Sequence, residues 1–254
     1  EVRSAEPNYR LNFIRLPNDT DFARLWGLHN TGQTGGTPDA DVDGPEAWDI
    51  TTGSRNVIVA VIDSGVQYNH PDLAANMWVN DGEIPNNGLD DDGNGFVDDV
   101  YGYDFYNGDG DPMDDYWHGT HCAGTIGAVG NNNIGVTGVN WTVSIMALKI
   151  GDAYGVSTAA AIQAIDYAVQ MGATLSSNSW GGPGYSQALR DAIDAAGDAG
   201  QLFIASAGNS GQNNDAIPSY PSSYTLPNII SVAATDENDQ LANFSCYGPT
   251  SADV

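Results

Sequence analysis

Three short stretches carry residue types that can move a proton or hold a developing negative charge. In Trp117-His118-Gly119-Thr120-His121-Cys122-Ala123-Gly124-Thr125 a histidine opens a run whose Gly119, Ala123, Gly124, Gly127 and Ala128 suit a closely packed helix. In Val57-Ile58-Val59-Ala60-Val61-Ile62-Asp63-Ser64-Gly65 an apolar strand ends in a carboxylate and then a turn. In Leu202-Phe203-Ile204-Ala205-Ser206-Ala207-Gly208-Asn209 a second apolar run ends in a side-chain amide. A histidine at a buried helix start needs a partner to orient its ring, and Asp63 is the candidate. A carboxylate to orient, an imidazole to act as base and an amide to hold an oxyanion make up most of a nucleophilic hydrolase site. The serine that would complete it is expected beyond Val254.

Such groups must be delivered by a scaffold, and the pattern around them supplies one. Functional groups in open parallel α/β sheets collect beyond the carboxyl ends of the strands. Strands are predicted over Val57–Ile62, Ser144–Ile150, Thr174–Ser179, Leu202–Ala205 and Asn228–Ala233. Between them, a helix from Thr158 to Met171 would bury Ile162, Ile165 and Val169 and stop at Gly172. Another from Ser186 to Ala199 pairs Leu189 with Ile193 and stops at Gly200. Asp43-Gly44-Pro45-Glu46 has an N-cap acid, an early proline and a glutamate at capping-box spacing. Repeated strand–helix–strand units predict an α/β fold, a mostly parallel twisted sheet with helices on both faces. Trp26 and Trp48 are expected as packing anchors of the loop-rich residues 18–56.

The chain has 254 residues, one large domain or one domain with an appendage. With 7 basic and 33 acidic residues its net charge is −26, which argues against nucleic acid as a partner. No apolar run approaches the length of a membrane span. Ten of the 33 acids lie between Asn86 and Asp115, among glycines and asparagines. Two readings of that cluster stand: hard-cation loops, or a solvated acidic loop. Cys122 and Cys246 are read as free, with Cys122 facing the interior; a bridge between them has no support in the sequence. The chain starts at Glu1, with no initiator methionine and no signal peptide, so cleavage at its front is expected.

With these residues in hand the chain resembles the subtilases, and within them the thermitase-like, calcium-binding, secreted serine proteases. Val61-Ile62-Asp63-Ser64-Gly65-Val66 is similar to the family's Asp motif and His118-Gly119-Thr120-His121-Cys122-Ala123-Gly124 to its His motif. Asn178-Ser179-Trp180-Gly181-Gly182 resembles the substrate strand, and Ala205-Ser206-Ala207-Gly208-Asn209 the oxyanion segment. Ala47-Trp48-Asp49-Ile50 and Phe244-Ser245-Cys246-Tyr247-Gly248 match further segments. The resemblance runs from about residue 18 to the end and implies a subtilisin-like, three-layer α/β/α domain over 18–254, truncated at its C-terminus. It implies a serine endopeptidase whose Asp63 orients His118, whose His118 is acid and base, and whose Asn209 donates to the oxyanion. Ser179, Trp180, Gly181 and Gly182 would bind extended substrate, with Ser206, Ala207 and Gly208 as the opposite wall. At one place the chain departs from the family: Trp117, after Tyr116, replaces the usual glycine before the histidine and should reshape the cleft.

The same resemblance implies calcium. Asp19, Asp72, Asn132 and the carbonyls of Val129, Ile134 and Val136 match a tight site. Asp104, Asn107, Asp109, Asp111 and the Met113 carbonyl fall in a second, weaker one. Independently, Asp90, Asp92, Asn94, Phe96 and Asp98 sit at positions 1, 3, 5, 7 and 9 of an EF-hand-like loop, with Tyr101 where a bidentate glutamate belongs. Residues 1–17 resemble the C-terminal tail of an inhibitory propeptide. Polypeptide substrates, the propeptide as inhibitor, secretion and a monomeric state follow, and the 254-residue chain alone should be inactive. Competing readings are a non-catalytic relative that binds peptide or calcium, and a zinc hydrolase using His118, His121 and Asp63. His121 is expected as a hydrogen-bonded core histidine, Ser157 as a helix cap, and Ser251 as no nucleophile.

Overall fold

The computed structural model describes residues 15–254, so most of the segment read as a propeptide tail lies outside the described residues. In chain order the elements are α1 (Gly44–Trp48), β1 (Gly53–Asp63), β2 (Gly102–Asp104), α2 (His118–Gly127), β3 (Thr142–Lys149), β4 (Gly151–Asp152), β5 (Gly155–Val156), α3 (Thr158–Gln170), β6 (Leu175–Asn178), α4 (Gln187–Asp198), β7 (Leu202–Ser206) and β8 (Ile229–Val232). Six strands form one sheet in the order β2-β3-β1-β6-β7-β8, every pairing parallel; β4 and β5 make a separate antiparallel hairpin. From β1 the chain moves outward to β2 and β3, then returns through α3 to β6 on the other side. The strand order therefore reverses around β1, and Asp63 ends that strand.

The central strands are apolar on both sides because both faces are covered there. Ala60, Ile62, Met146, Leu148, Phe203 and Ala205 pack beneath α3 and α4. Val59, Val61, Val143, Ile145 and Ala147 pack beneath Ala123 of α2. Glycine at 119 is required by this docking, since a Cβ there would collide with the Gly65 carbonyl oxygen and Asp63 Cβ.

Helix ends follow the sequence signals in two cases. Ser157 and Ser186 each accept a backbone N–H from the first turn, and Gly172 and Gly200 take the left-handed conformation beyond the last. At α1 the expected cap fails: Asp43 itself is left-handed with φ 54° and caps nothing, its N–H donating instead to Asp41 Oδ1 at 2.7 Å. The buried face of α3 is also rotated from expectation. Ala160, Ala161, Ala164, Ile165, Tyr167 and Ala168 are buried, while Ile162 and Val169 sit at its margin. Small residues let the helix lie close to the sheet. Trp48 is buried against Trp141 and Phe22, but Trp26 is half-exposed.

Candidate active site

Asp63 is 4% exposed at the end of β1. One carboxylate oxygen, Oδ1, accepts the Ser64 N–H at 2.7 Å and stands 2.7 Å from His118 Nδ1. That contact fixes the ring: with Nδ1 donating to the carboxylate, Nε2 of the neutral imidazole carries the free lone pair. The ring is partly open to solvent. Asn209 follows β7 and is exposed. It lines a cleft of about 640 Å³ with Ser179, Trp180, Gly181, Gly182, Ser206 and Gly208. Ala207 is buried, its N–H donating to Val232. The ladder between β6 and β7 ends at Asn178 and Ala205, and the next bridge joins Gly182 to Tyr220. Ser179, Trp180 and Gly181 lie between those bridges on the cleft wall, where an added strand could pair. Trp180 is anchored there by its indole N–H, which donates to the Ile62 carbonyl at 2.9 Å. Ser219 and Cys246 line the same cleft and were not identified as site residues from sequence.

Cys122 takes the place expected of a second histidine. Its Sγ lies 3.9 Å from His118 Nδ1, and Asp63, His118 and Cys122 form one group of ligand-type atoms. Burial, with the Asp63 charge beside it, pushes the thiol up to about 11, which opposes thiolate ligation. His121 is exposed rather than in the core, a correction to the sequence reading. Gly119, Ala123 and Gly127 hold the buried face of α2, and the helix turn carries residue 121 away from it. Neither cysteine is bonded; Cys122 is half-buried and Cys246 buried.

The acidic residues form three separate clusters. Asp19 and Asp72 are 5% and 3% exposed, and no basic side chain pairs with either among the described residues. Asp72 Oδ1 accepts from Asn132 Nδ2 at 2.7 Å and Asp19 accepts from the N–H groups of Asn131 and Asn132. Val129 and Val136 join them through backbone bonds to Asp72, and the Ile134 N–H donates to Asn132 Oδ1. Two buried carboxylates without a cationic partner among the described residues leave negative charge that a hard cation would neutralise, and each of their four oxygens accepts an N–H here.

In the second cluster Asp104 accepts from the N–H groups of Tyr106 and Asn107 and from Asn107 Nδ2, and Asp111 accepts from Tyr68 and Met113. Asp109 Oδ1 accepts from the Asp111 N–H. A cation is already there: the buried Lys149 ammonium donates to the Met113 carbonyl at 3.2 Å and lies 2.8 Å from Asp115 and 3.8 Å from Asp104. In the third, oxygens of Glu83, Asp90 and Asp92 converge within 4.8 Å of one another. Glu83 was missed because it precedes the loop, whereas loop spacing looks for its last ligand downstream. Asn94 Nδ2 donates to Asp92 and to the buried Asp99, and Phe96 stacks edge-on against Tyr103, Phe105 and Tyr167. Asp98 turns elsewhere, accepting from the N–H groups of Asn87 and Gly88.

The sequence profile of the subtilase family (peptidase S8) matches residues 54–254. Thermitase of Thermoactinomyces vulgaris is 38% identical over 208 residues, covering 82% of this chain and 64% of that protein. A thermophilic serine proteinase of Bacillus sp. strain AK1 is 37% identical over 249 residues, 97% of this chain and 53% of the relative. The chain thus spans between half and two thirds of these relatives. Among solved structures, a protease from Pseudoalteromonas arctica superposes with a TM-score of 0.74 at 27% identity, covering 94% of this chain and 71% of its own.

Proposed function

The chain belongs to the subtilase family, and from that premise we propose that it forms the greater part of the catalytic domain of a secreted, calcium-dependent, subtilisin-like serine endopeptidase. The observation that carries this is the 2.7 Å contact between Asp63 Oδ1 and His118 Nδ1, beside a cleft that holds Asn209. His118 Nε2 takes the proton of a serine hydroxyl as that oxygen attacks the peptide carbonyl, then returns it to the leaving amine. Asp63 stabilises the imidazolium formed between the two transfers. The Asn209 amide donates to the tetrahedral oxyanion. Removing the equivalent donor in subtilisin, a member of this family and a general reference case, costs about 10²–10³ in kcat.

Two serines named by the sequence do not suit the role of nucleophile. Ser64 Oγ donates to Asp114 and receives the Gly119 N–H, and Ser251 lies by Asp215, away from the histidine. By the family resemblance we propose that a serine outside these 254 residues supplies the nucleophile, so that these residues alone do not cleave peptides. An extended substrate adds as a strand beside Ser179, Trp180 and Gly181, with Ser206 and Gly208 opposite. Asp19, Asp72, Asn132 and the carbonyls of Val129, Ile134 and Val136 would hold one calcium ion. Glu83, Asp90 and Asp92 would hold another, where a bound cation relieves repulsion between the carboxylates. Residues 1–17 act as the tail of an inhibitory propeptide, and the enzyme works as a secreted monomer.

The test is reaction with a fluorescent fluorophosphonate. A full-length form should label and cleave casein, and both activities should vanish in His118→Ala. This chain alone should do neither. Labelling of the short chain, or a full-length protein that never labels, would refute the assignment.

A further inference from the structure

The helix that carries His118 has no cap of its own. Its N-cap residue, Trp117, offers no side-chain hydrogen bond and sits at φ 76°, ψ −22°, left-handed backbone that a bulky side chain rarely adopts. Two side chains from elsewhere satisfy the first turn instead. Asp114 Oδ2 accepts the Thr120 N–H at 2.9 Å and also the Thr120 hydroxyl. Asp114 Oδ1 accepts the N–H groups of Tyr116 and Trp117, each at 2.9 Å, and the Ser64 hydroxyl at 2.9 Å. The Ser64 oxygen in turn accepts the Gly119 N–H at 3.0 Å. Ser64 is the residue after Asp63, and its own N–H donates to Asp63 Oδ1.

One carboxylate thus ties the backbone on both sides of His118 to the residue next to Asp63. We propose that Asp114 is a positioning residue which, through Ser64, clamps the first turn of α2 to the end of β1 and so sets the Asp63–His118 contact. This rests on the reading of Asp63 and His118 as a catalytic pair. Charge-assisted bonds to backbone N–H groups at a helix start are strong and directional, and a negative charge there is favoured by the helix dipole. The clamp also holds Trp117 left-handed: with its N–H released, that residue would relax toward an ordinary conformation and swing the histidine that follows it. Displacements of about 1 Å at a reacting group can cost about 10²-fold in rate.

The experiment compares Asp114→Ala, Asp114→Asn and Ser64→Ala in the full-length protein. It reads kcat and KM on a peptide substrate, the far-downfield proton resonance of His118 Nδ1, and the melting temperature. Asp114→Ala should lower kcat by about 10–100-fold with KM little changed, and should broaden or shift the Nδ1 proton. Asp114→Asn, which can still accept at Oδ1, and Ser64→Ala, which leaves the other bonds in place, should show smaller losses of the same kind. Trp117→Gly in the Asp114→Ala background should restore part of kcat, because glycine holds positive φ without strain. A merely structural role predicts no such rescue. An unchanged kcat and an unchanged Nδ1 resonance in a folded Asp114→Ala protein would overturn the proposal. If that variant does not fold, unchanged values in Asp114→Asn and Ser64→Ala would overturn it. The proton resonance needs no turnover, so it judges the clamp even if the wild-type protein cleaves nothing, a result that would instead refute the protease assignment.

Discussion

On one face of the central sheet Ala60, Ile62, Met146, Leu148, Phe203 and Ala205 lie sealed beneath α3 and α4. On the other, α2 covers β1 and β3, and beyond it the cover stops. Leu175, Ile204, Ile230 and Val232 are half-exposed there and Leu202 is exposed, although each alternates along its strand with a fully buried neighbour. Strands that read as apolar at both alternating positions are built for burial on both faces. Here β6, β7 and β8 have it on one. The closed face is what makes the fold stable. On the reading proposed above, a further segment of the catalytic domain covers this open face.

Neighbouring residues on one strand give the largest test of that contrast. Phe203→Ala, on the closed face, should destabilise by about 3–5 kcal/mol, whereas Ile204→Ala should cost less than about 1 kcal/mol in this chain. Chemical denaturation of the two variants measures both. Equal losses would mean that the open face is already packed. The same Ile204→Ala change in a full-length form should cost about 2–5 kcal/mol, the penalty of a true core position.

Calcium at the Glu83, Asp90 and Asp92 group should act on the closed face, because that loop packs through Phe96 against Tyr167 of α3. A ligand bound only by the folded state stabilises by about 2.7 kcal/mol at one hundred times its Kd. Melting curves with calcium and with chelator should differ accordingly. In hydrogen exchange α3 should gain protection while β8 does not. Coincident curves would leave these loops as solvated acid.

A smaller effect is expected from Tyr167→Phe. The phenol is held protonated by burial and by donation to the buried Asp99 carboxylate, which push it above the ordinary tyrosine range. Losing that donor should cost about 1–3 kcal/mol, read as a lower denaturation midpoint with unchanged slope.

Smallest for stability is the thiol at the boundary between the two regions. Burial raises Cys122 to about 11, with Asp63 adding to it. The neutral thiol therefore persists through neutral pH, and thiolate appears only as pH climbs toward that value. Iodoacetamide should label Cys122 slowly at pH 8 and progressively faster above pH 10. Fast labelling at pH 7 would mean that the thiol pairs with a protonated His118.

Much of this was legible in the residues themselves. The strand ending at Asp63, the helix opening at His118 and the segment ending at Asn209 were fixed by short-range pattern. So were the serine caps and glycine stops of α3 and α4. Local signals suffice for these because they depend on backbone geometry within a few residues. What the residues did not reveal depends on approach across long separations. Ser64 meets Asp114 fifty positions away, Lys149 at the end of β3 reaches the carbonyl of Met113 in a loop, and Glu83 enters the acidic loop from upstream. His121 was misplaced for a related reason: which side of α2 faces the sheet is decided by where Gly119, Ala123 and Gly127 can approach β1 and β3. The sequence by itself thus determined which groups could react and in what order they occur. The crossover of the parallel sheet decided which carboxylate orients the histidine, which one braces its helix and which face is left uncovered, because only packing brings distant side chains to bonding distance.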